Sequence, residues 1–216
     1  MTLLVGILCD DGVVIAADQQ VTQGGLAGLT VARACVKPTI IGGQAIYAFS
    51  GPVSVGQQIT AQLNDLQRTF GGGTCAVLVP KLQAAIRAVL EPAFETAAKA
   101  QKVMGNPVLQ DVLCSGLLAA KFSDGIRLLE ISQQGACEVL TKDKVPFVCL
   151  GSGKGNADPI ISFLWNIYWQ EQAPTLQEAT LAAYWTVRTA IELKTPLVGF
   201  PPTPCFSSTA RFRRRA

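Results

Sequence analysis

Three residues of this chain have side chains and positions suited to covalent chemistry: Thr2, Asp18 and Lys37. A threonine made terminal by removal of Met1 carries a hydroxyl nucleophile and an amine of pKa about 8 in one residue. The amine can take the hydroxyl proton directly or through one water, so no separate base is needed. A Met-Thr start is common and carries little weight alone. Asp18 closes the second of two apolar runs, 3–9 and 13–17, joined through Asp10-Asp11-Gly12. Two such runs across Asp-Gly predict a β-hairpin, which returns Asp18 to the side of the chain start. A carboxylate there can orient an ammonium, or be an ordinary exposed acid at a strand end. Lys37 stands among Val36, Pro38, Ile40 and Ile41. Burying an unpaired ammonium is costly, and Asp18 is the candidate partner. A cation buried beside Thr2 lowers the pKa values of its hydroxyl and amine. The plainer reading of Lys37 is an edge-strand lysine that discourages aggregation.

The composition narrows the alternatives. The chain has no histidine. Ser-His-Asp and Cys-His nucleophilic catalysis are therefore excluded, and most catalytic zinc and non-haem iron sites lose their ligands. Any base must be a carboxylate, a lysine or the α-amine, and no metal or cofactor is expected. The seven cysteines are odd in number and include no C-x-x-C pair, which argues against a disulfide framework and a structural zinc site. Only 15% of residues are charged, below the usual quarter. Surface buried in an oligomer explains this, as does a large core in a monomer. Much of the net charge of +3 sits in a basic tail, 211–216, without the interleaved aromatics of a nucleic-acid patch. No apolar run is long enough to cross a bilayer, and the first residues lack the basic region of a signal peptide. Cytoplasmic location is expected, with neither nucleic acid nor membrane as partner.

The elements that must position these residues follow from periodicity. Strands are predicted at 3–9, 13–17, 30–41 and 44–50, the last two joined by Gly42-Gly43. Val55, Ile59, Leu63 and Leu66 predict a helix over 53–70, stopped by Gly71-Gly72-Gly73. A second helix covers 75–103, with a kink or boundary expected at Pro80 or Pro92. Strands resume at 112–122, 126–131, 137–140 and 147–150. Helices follow over 159–170 and 176–193, the latter with Thr175 and Glu178 as a capping box. Short strands are predicted at 197–200 and 205–212. Runs of strands separated by helix pairs predict an α+β protein: two antiparallel sheets face to face with helices outside. No repeat or linker divides 1–216, which reads as a single domain.

Taken together, these segments resemble a known family. Thr2-Leu-Leu-Val-Gly-Ile and Asp11-Gly-Val-Val-Ile-Ala-Ala-Asp18 are similar to the opening of proteasome β-subunits. So are Val36-Lys37, Ala48-Phe-Ser-Gly51, and Leu150-Gly-Ser-Gly153 before a helix. The likeness runs in order through most of the chain and is greatest to the small bacterial proteasome homologues, relatives of HslV and Anbu. It implies the N-terminal-nucleophile hydrolase fold, a four-layer α-β-β-α sandwich with helix pairs outside, and a threonine-type endopeptidase. By that resemblance Thr2 is nucleophile and base, Asp18 and Lys37 support it, and the Gly51 N–H holds the oxyanion. Ser152 bonds near the Thr2 amine. Thr22 lies in the segment that takes substrate as an added strand, and Val21, Cys35, Phe49 and Val53 line an apolar first specificity pocket. The implied assembly is a homo-oligomer of two stacked seven-membered rings, six-membered rings also occurring among relatives, fed by an ATP-dependent unfoldase. One departure stands out: the family's Asp and Ser near the amine have no counterpart in Lys194-Thr-Pro-Leu-Val-Gly-Phe200. Two alternatives therefore stand beside the peptidase: an inactive or weakly active scaffold subunit, and an amidohydrolase of the same fold acting on a small amide.

Overall fold

In the computed structural model, residues 2–24, 30–105, 112–142, 146–170 and 172–193 are described, with backbone alone at 21–24 and 30–34. Every residue of β1 (Leu3–Leu8) is buried, because this strand is covered on both edges and both faces. One edge pairs with β2 (Val13–Ala17), in the register Leu4 to Ala17 and Leu8 to Val13. The other pairs with β10 (Phe147–Gly151), which sets Leu3 opposite Gly151. A five-stranded antiparallel meander faces this sheet: β5 (Thr39–Ile41), β6 (Ala45–Ser50), β7 (Ser115–Phe122), β8 (Gly125–Ile131) and β9 (Cys137–Leu140). A separate two-stranded pair, β3 (Gln20–Gly24) and β4 (Thr30–Ala34), completes the strands among the described residues.

Strand alternation sorts the apolar residues into three clusters. Leu3, Val5 and Ile7 of β1 pack with Ile161, Ala179 and Ala183 of α3 (Lys154–Leu164) and α4 (Leu176–Glu192). Leu4 and Leu8 point the other way, into a cluster with Ile46, Ala48, Leu117 and Leu128 of the larger sheet. Gly6 shares that face, where an added Cβ would lie 3.0 Å from Leu117. The far face of the larger sheet presents Tyr47, Leu118 and Leu129 to α1 (Val53–Asp65) and α2 (Cys75–Met104), which contribute Ile59, Leu63, Leu82, Ile86 and Leu90. The predicted α+β class and two facing antiparallel sheets are present.

Several boundaries differ from expectation, each for a tertiary reason. The strand expected at 30–41 is two strands, β4 and β5, separated by a connection at 35–38. Pro38 cannot donate to a ladder there, and Lys37 must turn inward. β3 was not foreseen as a strand. The helix predicted over 53–70 stops at Asp65, and a 3₁₀ turn (Gln67–Thr69) follows. That turn delivers Phe70 to the core, where its ring meets Phe122 edge-on at 6.2 Å. Helix α2 runs without a boundary through Pro80 and Pro92. Helix α3 starts at Lys154 rather than at Pro159, directly from the Gly151-Ser152-Gly153 turn, and passes into a π-helical stretch (Trp165–Trp169). The expected capping box on α4 is formed by Thr175 and Glu178. The strands predicted at 197–200 and 205–212, and the tail at 211–216, lie outside the described residues.

Gly56 illustrates how α1 docks on β6. A Cβ at this position would lie 2.1 Å from the Phe49 ring, so the ring occupies the space of a side chain. Gly56→Ala therefore forces the ring to move, with an expected cost of about 1–3 kcal/mol in chemical denaturation. In a Phe49→Ala background the same substitution is expected to cost much less. Equal costs in the two backgrounds would contradict this packing.

Candidate active site

The carboxylate of Asp18 is fixed by backbone on two sides. Its own N–H donates to the Leu3 carbonyl at 3.1 Å as the β1–β2 ladder ends. Its Oδ1 accepts the Leu3 N–H at 2.7 Å, and its Oδ2 accepts the Gln20 N–H at 3.0 Å. The residue is 3% exposed. Lys37 enters from the 35–38 connection and places Nζ 2.5 Å from Asp18 Oδ1 and 3.3 Å from Thr2 Oγ1. Lys37 is itself 8% exposed, so the ion pair is buried and the threonine hydroxyl sits on its cationic end. Burial pushes the Lys37 pKa down from its usual 10.5, and the Asp18 charge opposes that shift without cancelling it.

The turn after β10 closes around Thr2 from the other side. Gly151 has φ +90°, and an added Cβ would fall 2.0 Å from the Thr2 carbonyl oxygen. Only glycine fits, both for its dihedral and for this approach. The Ser152 hydroxyl and the Gly153 N–H each donate to the same oxygen at 3.5 Å. Ser152 thus meets Thr2 at its carbonyl. At the end of β6, Gly51 has φ +139°, and a Cβ there would meet the Leu113 carbonyl at 2.4 Å. A side chain is again excluded where the backbone bends past the sheet end.

The structure brings Thr2, Asp18, Lys37 and Ser152 together. Of the residues assigned to specificity, Phe49 is half-buried, with its ring on Gly56 and its centroid 6.0 Å from that of Tyr47. Cys35 and Val53 are exposed, the latter at the first turn of α1. Thr22 and Val21 lie on β3 opposite Ala32 and Arg33, and their side chains fall outside the described residues. So does the whole 194–200 stretch. One neighbour was not anticipated: Ser50, whose Oγ lies 3.1 Å from the Cβ position at Gly151. Its signal in the sequence is the alternation Ile46, Ala48, Ser50, which places it on the face that looks toward β1.

Solved structures share this arrangement of elements. Anbu (ancestral beta-subunit) from Yersinia bercovieri superposes with a TM-score of 0.68 at 18% identity, covering 92% of this chain and 79% of that one. The fold of this chain is the Anbu fold. The Anbu complex from Pseudomonas aeruginosa, described as a helical assembly, gives 0.65 at 20% identity over 92% and 78% of the two chains. Anbu from Hyphomicrobium sp. strain MC1 gives 0.61 at 16% over the same shares. No family model matches the chain, and no curated protein does. The expected likeness thus holds at the level of fold, with Anbu among the solved structures that share it. Among the described residues, no helix is long and apolar enough to cross a membrane.

Removing Lys37 leaves a buried carboxylate without its counter-charge. Lys37→Met is expected to destabilise the protein by about 3–5 kcal/mol in urea unfolding. The double variant Lys37→Met/Asp18→Leu is expected to recover part of that loss. A single-variant cost under about 1 kcal/mol would show that the pair is not buried in solution.

Proposed function

We propose that this chain is a threonine-type endopeptidase of the N-terminal-nucleophile class, with Thr2 as nucleophile once Met1 has been removed. The observation that carries this reading is the contact of Thr2 Oγ1 with a buried ammonium, Lys37 Nζ, that is itself held by Asp18. In such a site, a hydrogen bond from a desolvated cation stabilises negative charge developing on the hydroxyl oxygen. The α-amine takes the hydroxyl proton as Oγ1 attacks the scissile carbonyl and the new C–O bond forms. The oxyanion is held by the Gly51 N–H, a donor worth about 3 kcal/mol in sites of this kind. Collapse breaks the C–N bond, and the amine passes its proton to the leaving nitrogen. Water then hydrolyses the ester, giving its proton to the amine, and the Thr2 hydroxyl is restored.

The rest of the reading follows the fold. The order of the three apolar clusters supports a four-layer α-β-β-α stacking. The two-stranded β3–β4 unit supports substrate binding beside Thr22 as an added strand. Phe49, Cys35, Val53 and Val21 form an apolar first pocket, favouring apolar or small side chains before the cut. Phe163, Ile167, Tyr168, Leu181 and Trp185 are exposed along α3, the π-helical stretch and α4, which supports a homo-oligomer. The helical assembly of the Pseudomonas Anbu complex supports it too. Two stacked rings of seven, or of six, fed by an ATP-dependent unfoldase in the cytoplasm, complete the proposal. The scaffold alternative is favoured by one observation: 194–200 holds no Asp or Ser to steady the amine.

Two results test the enzyme reading. Thr2→Ala is expected to lower hydrolysis of fluorogenic peptides with apolar cleavage-site residues by on the order of a thousandfold or more. The pH profile is expected to be bell-shaped. The amine must be neutral to act, and the cation beside it lowers its pKa from the usual value of about 8, so the acid limb falls below pH 8. Lys37 must stay protonated, and its lowered pKa puts the alkaline limb below 10.5. Unchanged hydrolysis in Thr2→Ala would refute the reading.

A further inference from the structure

The outer surface of α4 carries a stripe that none of the described residues covers. Glu178, Leu181, Trp185 and Arg188 are exposed and recur at spacings of three, four and three. That is the seam spacing of a helix that packs along another helix. The two central residues are large and apolar, with Leu181 69% and Trp185 47% exposed. Beside them runs a groove of about 690 Å³, lined also by Leu164, Tyr168 and Trp169. Apolar surface of this kind usually marks an interface. The ends of the stripe carry opposite charges, Glu178 in the first turn of α4 and Arg188 one turn before its last residue. Each end keeps a spare hydrogen-bonding atom among the described residues. Glu178 closes the capping box through Oε2, which accepts from the Thr175 N–H and hydroxyl, so Oε1 is left over. Arg188 donates through Nε to Glu192 and through Nη1 to Tyr184, so Nη2 is left over.

We infer that this stripe is the contact with a second copy of this chain, made by two antiparallel α4 helices about a two-fold axis. The stripe is complementary to itself when reversed. A register that sets Leu181 opposite Trp185 also sets Glu178 opposite Arg188, because both pairs are centred on the same point of the helix. A two-fold axis makes each contact twice. The middle of the seam then buries two leucine–tryptophan contacts, and each end closes with Arg188 Nη2 donating to Glu178 Oε1 of the other copy. A parallel pair in register would instead oppose Glu178 to Glu178 and Arg188 to Arg188. The charges therefore select the antiparallel arrangement, and the apolar centre supplies the area to hold it. This contact rests on the homo-oligomer reading above, and gives that oligomer a two-fold element.

The test measures the mass of the full-length assembly by sedimentation velocity, with the thermal midpoint as a check that each variant folds. Glu178→Arg alone opposes arginine to arginine across the seam, and Arg188→Glu alone opposes glutamate to glutamate. Like charges set against each other suppress a pairing, so each single variant is expected to fall to half the parent mass or less. Mixing the two single variants restores opposite charges at both ends of the seam, and so does combining both changes in one chain. Both are expected to return to the parent mass. Trp185→Ala keeps the charges and removes the apolar anchor, and is expected to weaken the pair about tenfold or more. Single variants that keep the parent mass would overturn the α4 contact while the homo-oligomer reading stands. So would single variants that dissociate and are rescued neither by mixing nor by combination. A monomeric parent would overturn both readings together, and would leave the stripe to residues 194–216 of the same chain or to another protein.

Discussion

A buried ion pair governs the site. Lys37 and Asp18 are both almost fully removed from water, and each is tolerable there only because of the other. The cost of burying them must be met by geometry, and the surrounding structure supplies it. Two backbone N–H groups hold the Asp18 carboxylate, and one of them belongs to Leu3, next to Thr2. The residue that steadies the lysine is thus tied to the strand that follows Thr2. Any shift of β1 against β2 would break the hydrogen bond that the carboxylate paired with Lys37 accepts from Leu3.

The same coupling explains why β1 is central. Its pairing with β2 brings Asp18 to Leu3, and its pairing with β10 brings Gly151 to Thr2. One face packs on α3 and α4 and the other on the larger sheet, so the strand has no free direction to move. A threonine at the end of such a strand has little of the freedom that chain ends usually have. Glycine is required where backbones close on this point. At Gly151 the space of a side chain is filled by the Thr2 carbonyl, and at Gly51 by the Leu113 carbonyl. In the low-dielectric surroundings of the pair, a hydrogen bond from Lys37 to the Thr2 hydroxyl acts far more strongly than it would in water.

The centre of this site was legible in the sequence because it rests on local rules. Two apolar runs across Asp10-Asp11-Gly12 make a hairpin, a hairpin returns its last residue to its first, and a lysine among apolar residues asks for an acid. What was not legible depends on contacts across layers. The break at 35–38 that divides β4 from β5 arises because Lys37 must reach Asp18, and periodicity carries no trace of that. The early end of α1 follows from the demand that Phe70 meet Phe122, which only the fold imposes. The fit of Phe49 on Gly56 is likewise a tertiary fact: glycine in a helix pattern signals only a close approach, not its partner.

The most direct measurement is the intact mass of the purified protein before and after treatment with a peptide epoxyketone, which requires both the hydroxyl and the free amine of a terminal threonine. The expected result is a subunit lacking Met1 that gains one adduct, with no adduct in Thr2→Ala. A subunit that keeps Met1, or a processed chain that gains no adduct, would contradict the central claim and favour a scaffold role for this fold.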